Sequence, residues 1–166
     1  DWAVYAVVFY LITYLLASFG VFGVMVHLAG DDDADQEVDH YEDLGRRQPF
    51  LAGVLTIGLS SLAGIPPLGG FIGKLLIFIA AFQAGLYGLL VASVIGVVLS
   101  IYYYFGWIRE AVFRVWRSPE NSTAVTHSES HPVSVSAVEA VTLGGLSALT
   151  IGIGLFPSLV DVLMRL

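Results

Sequence analysis

A proline pair and a lysine lie in the middle of a long apolar run, and no other feature constrains this chain as strongly. The run covers residues 50–84, with Pro66, Pro67 and Lys74 near its centre. A membrane core of ~30 Å takes roughly 20 helical residues at ~1.5 Å each, so the run is too long for one straight crossing. It contains no polar loop at which to turn back. Pro66 and Pro67 lack backbone N–H groups, and each disfavours helical geometry in the residue before it. Gly64 precedes them, and Gly69, Gly70 and Gly73 follow closely. The simplest reading is two half-helices joined by an unwound segment. Such a backbone survives at membrane depth only inside protein or beside water, because lipid cannot bond its N–H and C=O groups. Broken helices of this kind mark ion and substrate sites in transporters.

Lys74 stands just beyond the break. Both ends of the run are more than two helical turns away, so its stem does not easily reach water. A lysine at the bilayer centre costs about 2.5–3.5 kcal/mol on insertion scales. A membrane-boundary lysine is the plain alternative. The functional reading is a group that faces the protein interior and exchanges a proton. A phosphate-binding loop does not fit, because Leu68 stands where its first glycine belongs and Leu75 replaces its hydroxyl residue. Gly69 and Gly73 have the spacing of a close helix-packing face.

Composition agrees with the bilayer. Hydrophobic residues make up 57% of the 166, and the chain fits one small membrane domain over residues 1–166. The net charge of -7 comes mostly from one acidic loop, so nucleic-acid binding has no support. With no cysteine, the chain offers no ligands for a Cys-bound iron–sulfur cluster and no disulfide. It begins with Asp1 and Trp2 and runs straight into an apolar helix, so the C-terminal part of a longer protein, or a truncated sequence, is expected.

The expected fold class is an all-α integral membrane protein with four transmembrane segments, over residues 2–28, 50–84, 86–113 and 133–159. The second is the discontinuous helix. Small residues Ala17, Ser18, Gly20 and Gly23 suit a close helix contact in the first. His27, at its far end, reads first as a hydrogen-bonded interfacial histidine and second as a minor relay. Asp31, Asp32, Asp33 and Asp35 form a solvated acidic run without calcium-loop spacing. The turn at 83–85 is short enough to make its flanking helices antiparallel neighbours. Tyr102, Tyr103, Tyr104 and Trp107 read as an aromatic belt. His127 and His131 have no third metal ligand nearby, and Asn121 heads a formal glycosylation sequon. Glu139 is expected near headgroups. Arg46, Arg47, Arg109, Arg114 and Arg117 flank two loops that must share a side, whereas the tail has only Arg165. The positive-inside rule puts those loops in the cytoplasm and the C-terminus outside.

Four segments carry a resemblance. They are Glu42-Asp43-Leu44-Gly45-Arg46-Arg47-Gln48-Pro49, Ser61-Leu62-Ala63-Gly64-Ile65-Pro66-Pro67, Gly70-Phe71-Ile72-Gly73-Lys74 and Ser100-Ile101-Tyr102-Tyr103-Tyr104. Together they resemble the antiporter-like membrane subunits of NADH–quinone oxidoreductase (respiratory complex I), the bacterial N subunit in particular. Its mitochondrial counterpart is NADH dehydrogenase subunit 2. The resemblance implies that the four spans are the last four helices of a longer subunit. It also implies that Lys74 is the terminal lysine of a proton path on a discontinuous helix. The break residues Gly64, Pro66, Pro67, Gly69 and Gly70 are expected to line that path. The related M subunit carries glutamate at this position. The D subunit of Mrp-type sodium/proton antiporters has a very similar proline–glycine–lysine block, and the triple tyrosine favours the N subunit. The charged residues that the family places on earlier helices have no match here.

The resemblance further implies a proton-translocating subunit in the bacterial inner membrane. Its partners are the other membrane subunits of complex I and the lipid bilayer. This chain would carry no cofactor, and partner subunits would handle NADH, flavin, iron–sulfur clusters and quinone. The alternatives are an Mrp-type cation/proton antiporter subunit and a non-conducting membrane scaffold.

Overall fold

A computed structural model of the chain describes residues 2–29, 44–113 and 135–158. The acidic run, Arg114, Arg117, Asn121, His127, His131 and Arg165 lie outside the described residues. What is described is helical, with no strand among these residues. The helices are α1 (Trp2–Ala29), α2 (Leu44–Arg47), α3 (Pro49–Ala63), α4 (Gly69–Gln83) and α5 (Tyr87–Ile108). A π-helical turn, Arg109–Phe113, widens the end of α5, and α6 (Ala137–Leu155) follows.

Local chemistry sets the ends. Pro49 opens α3 at a position whose N–H would have no helical partner anyway. Ser136 caps α6 through a reciprocal pair with Glu139: the Glu139 N–H donates to Ser136 Oγ at 3.2 Å, and the Ser136 N–H donates to Glu139 Oε2 at 2.8 Å. That box starts α6 four residues later than the expected span at 133. Phe156, held out of helical geometry before Pro157, ends it.

Three helices, α1, α5 and α6, are long and apolar enough to cross a membrane. The broken run appears as two 15-residue helices, α3 and α4. At about 22 Å each, neither alone matches a ~30 Å hydrocarbon core. They lie end to end along α1. The first half of α1 meets α4, where the space beside Gly69 and Gly73 is filled by Thr13 and Tyr10. Its second half meets α3, where Ala17 and Val21 crowd Gly58. Both small-residue faces read from the sequence are therefore packing faces. In lipid, apolar burial brings little transfer energy, and close backbone approach supplies the association instead.

The core at one end joins Val21 and Val24 of α1, Leu51, Leu55 and Leu59 of α3, and Leu143 of α6. Leu44 of α2 and Ala111 of the π turn are buried in the same cluster. This places Arg46, Arg47 and Arg109 at the same end of the bundle. The short turn at 84–86 sets α4 and α5 side by side.

Helix α6 closes over the break. A Cβ at Gly154 of α6 would overlap the Pro67 carbonyl oxygen and lie 2.6 Å from the Gly69 nitrogen. Neither is a flexible side chain that can move aside. Gly154→Ala is therefore expected to cost at least about 1–3 kcal/mol, the usual range for overpacking. The check is the thermal midpoint of the detergent-extracted full-length subunit, which should fall; an unchanged midpoint would show that α6 does not press on the break.

Candidate functional site

A helix end leaves four C=O groups without intrahelical partners. At the end of α3 these belong to Ser60, Ser61, Leu62 and Ala63, all at the break. Gly64 adopts the left-handed conformation (φ 86°), which glycine tolerates because it has no Cβ. The reversal aims two following amides back at the helix. The Gly64 N–H donates to Ser60 O at 3.1 Å and Ser61 O at 3.0 Å, and the Ile65 N–H donates to Ser60 O at 2.9 Å. Leu62 and Ala63 remain. Lys74 Nζ donates to the Leu62 carbonyl at 2.7 Å and to the Ala63 carbonyl at 3.1 Å. All four carbonyls are satisfied, two by backbone and two by the lysine.

The opposite end has a matching device. The N–H of Gly70, in the first turn of α4, donates to Ser61 Oγ at 3.1 Å. Ser61 is buried among α3 neighbours and the start of α4. Each half-helix thus caps the other. Gly70 has no room for a side chain, since a Cβ there would overlap the Ser61 carbonyl oxygen. The turn between the halves is closed by the Leu68 N–H donating to Ile65 O at 3.0 Å, and its Pro66–Pro67 peptide is cis.

Lys74 does not end in a sealed site. An ammonium has three N–H donors, and two are used. The side chain borders a cavity of about 330 Å³ between α1, α4, α5 and the end of α3. The polar groups on its wall are Tyr10 and Tyr14 of α1 and Ser93, Ser100 and Tyr104 of α5. Ser93 and Ser100 donate to the carbonyls of Leu89 and Val97 at 2.8 Å each, which leaves their oxygens able to accept. The arrangement provides a basic amine, hydroxyl partners and space for water around both.

The sequence-predicted residues scatter around this centre. Gly64 sits directly under the lysine stem, its Cβ position 3.1 Å from Lys74 Cδ. Gly69 packs on Thr13 and Ile153, and Gly70 packs on Ser61. Pro66 and Pro67 are exposed on the turn. His27 is far from Lys74, since roughly 20–25 Å of helix separates it from Tyr14 and Tyr10 at ~1.5 Å per residue. It is buried, with Nδ1 3.4 Å from Glu139 Oε1, and its Nε2 has no partner among the described residues. Glu139 itself is exposed, as expected, but its carboxylate serves both the α6 cap and His27.

Sequence reasoning missed Ser61 and the hydroxyl wall. A signal was present. Ser93, Ser100 and Tyr104 recur at spacings of seven and four on one face of α5, and Tyr10 and Tyr14 are four apart on α1. Tyr102 and Tyr103 are exposed, whereas Tyr104 turns into the cavity.

Gly64→Ala should test the geometry under the lysine. A left-handed non-glycine residue costs roughly 1–2 kcal/mol, and the added methyl pushes on the lysine stem. The thermal midpoint of the subunit should fall, and a faster amide exchange at Gly64 and Ile65 should accompany it; unchanged exchange would contradict the cap.

Comparison with known proteins fits these features. Residues 1–100 match the family model described as NADH:quinone oxidoreductase/Mrp antiporter, transmembrane. NADH-quinone oxidoreductase subunit N 1 of Opitutus terrae is 54% identical over 151 residues, which is 91% of this chain and 30% of that protein. Subunit N of Geotalea uraniireducens is 30% identical over 164 residues, 96% of this chain and 33% of that protein. A chain of respiratory complex I from Thermus thermophilus, solved with bound aureothin, superposes with a TM-score of 0.73 at 28% identity. The match covers 92% of this chain and 32% of that one. The chain thus spans about a third of the length of the relatives it matches. The matched region contains the broken helix, Lys74 and most of the cavity wall, and the chain belongs to the NADH:quinone oxidoreductase/Mrp antiporter transmembrane family.

Proposed function

We propose that this chain is the outlet part of a proton-translocating membrane subunit of NADH–quinone oxidoreductase, with Lys74 as its proton relay. The observation that carries the reading is the position of Lys74 Nζ, bonded to the Leu62 and Ala63 carbonyls at a helix break and bordering a hydroxyl-lined cavity. The neutral amine accepts a proton from water in the cavity and becomes an ammonium held by the two carbonyls. Release to water on the outer side returns the amine. The work for this cycle comes from electron transfer in partner subunits, which hold NADH, flavin, iron–sulfur clusters and quinone. This chain supplies the relay and no redox centre.

The same reading gives the assembly and the address. The partners are the other membrane subunits of complex I, and the setting is a bacterial inner membrane. The α3–α4 pair acts as one broken span, so the chain crosses four times as a single domain over residues 1–166. The clustering of Arg46, Arg47 and Arg109 at one end supports a cytoplasmic side for the two long loops and an outer C-terminus. His27, close to Glu139 at that end, is a minor relay for protons near the cytoplasmic surface. The break residues Gly64, Pro66, Pro67, Gly69 and Gly70 shape the path by fixing the turn that carries Lys74. The family description also spans Mrp antiporters. An antiport subunit would use the same lysine without a redox partner; the names of the relatives favour the oxidoreductase.

Two variants separate capping from relay. Arginine can donate to both carbonyls but stays protonated at all working pH values. Lys74→Arg in the assembled full-length complex should therefore assemble normally and lose proton pumping and NADH–quinone turnover together. Lys74→Ala should lose both activities by roughly tenfold or more, in line with removal of a general acid–base group. Normal pumping in either variant, measured in sealed vesicles, would overturn the reading.

A further inference from the structure

The two caps across the break differ in one respect. The Lys74 bonds to Leu62 and Ala63 are charge-assisted, and charge-assisted bonds are roughly twice as strong as neutral ones. They weaken whenever the lysine is neutral. The bond from the Gly70 N–H to Ser61 Oγ, at 3.1 Å, involves no titratable group. Ser61 is only 1% exposed, and water does not replace its hydroxyl there. Of the three side-chain bonds that join α3 to α4 across the break, two therefore respond to the proton and one does not.

We infer that Ser61 is the positioning residue that keeps Lys74 aligned on the cavity during the neutral half of its cycle. The inference rests on the relay reading of Lys74. The geometry is short and direct. Gly70 lies one helical turn before Lys74 on α4, and Ser61 lies just before Leu62 and Ala63 on α3. Fixing Gly70 to Ser61 fixes the register of the lysine against the carbonyls it must regain on reprotonation. Gly70 cannot slide closer, because the space beyond its Cα is already occupied by the Ser61 carbonyl. Without the hydroxyl, the Gly70 N–H is left unpaired at membrane depth, where no lipid group replaces it. The first turn of α4 then moves towards another acceptor whenever Lys74 is not holding it. The titratable groups that share the cavity with Lys74 are Tyr10 and Tyr14 from α1 and Tyr104 from α5; α3 has none, and α4 has only the lysine itself.

Ser61→Ala is the test, because it removes the oxygen and leaves the volume nearly unchanged. Pumping and turnover would be read across pH in vesicles holding the full-length complex, with the amount of assembled complex measured in parallel. The neutral lysine is more populated as pH rises, so the defect must grow with pH. Losing the acceptor of one buried donor should give a loss of roughly tenfold at about pH 8.5 and less than about twofold at about pH 6. Ser61→Cys, with a weaker acceptor of similar size, should fall between Ser61→Ala and the parent. A loss by the same factor at every pH marks Ser61 as an ordinary structural residue and overturns the inference, as does no loss at all. Should Ser61→Ala assemble poorly, Ser61→Cys carries the same pH comparison. Lys74→Ala, run alongside, distinguishes the two levels: if it pumps normally, the relay reading itself fails and takes this inference with it.

Discussion

Backbone groups exposed by a broken helix have nowhere to go in hydrocarbon. Each one left unpaired costs several kcal/mol, so an interruption at membrane depth has to bring its own partners. In this chain the interruption sits between α3 and α4, and most of the surrounding structure follows from the need to satisfy it. Gly64 turns its own amide and that of Ile65 back onto the helix end. Lys74 reaches back for the two carbonyls that remain. Ser61 reaches forward to the start of the next helix. Around these bonds the backbone is packed so closely that Gly70 and Gly154 have no space for a methyl group.

The carbonyls left open at the end of α3 account for a charge where charges are expensive. An intramembrane lysine is costly when its donors face lipid, and much less so when they meet carbonyls that themselves need donors. The break and the lysine each solve the other's problem. A lysine that only capped a helix would gain nothing from an open cavity beside it. The cavity lined by Tyr10, Tyr14, Ser93, Ser100 and Tyr104 gives that lysine somewhere to exchange a proton. The capping bonds and the proposed relay therefore share one geometry, and the Lys-to-Arg comparison separates them because arginine can perform only the capping.

Much of this was legible from local pattern. The length of the apolar run, the proline pair and the glycines located the break, and the isolated charge located Lys74. The small residues of α1 and α4 announced their packing faces, which the contacts of Ala17, Gly58, Gly69 and Gly73 bear out. What could not be read were pairings between distant positions. Nothing in a single sequence says that Ser61 meets Gly70, or that Lys74 selects Leu62 and Ala63 among many carbonyls. The hydroxyl wall combines residues from α1 and α5, and of its members only Tyr104 stood out in the sequence, as part of an aromatic belt. His27 and Glu139 are a similar case, since the segment between their helices is long and their proximity depends on how α6 returns beside α1.

Two hydrogen bonds join Lys74 to the carbonyls at the end of α3. Isotope-edited infrared spectroscopy reads this directly, with a carbonyl label at Ala63 in the full-length subunit, recorded across pH. The account predicts that the labelled band moves to higher frequency as Lys74 loses its proton, and that in Lys74→Met it sits at the high-frequency position at every pH. A band that ignores pH and is identical in Lys74→Met would contradict the account, because the lysine would then be neither the cap of the broken helix nor a proton carrier seated on it.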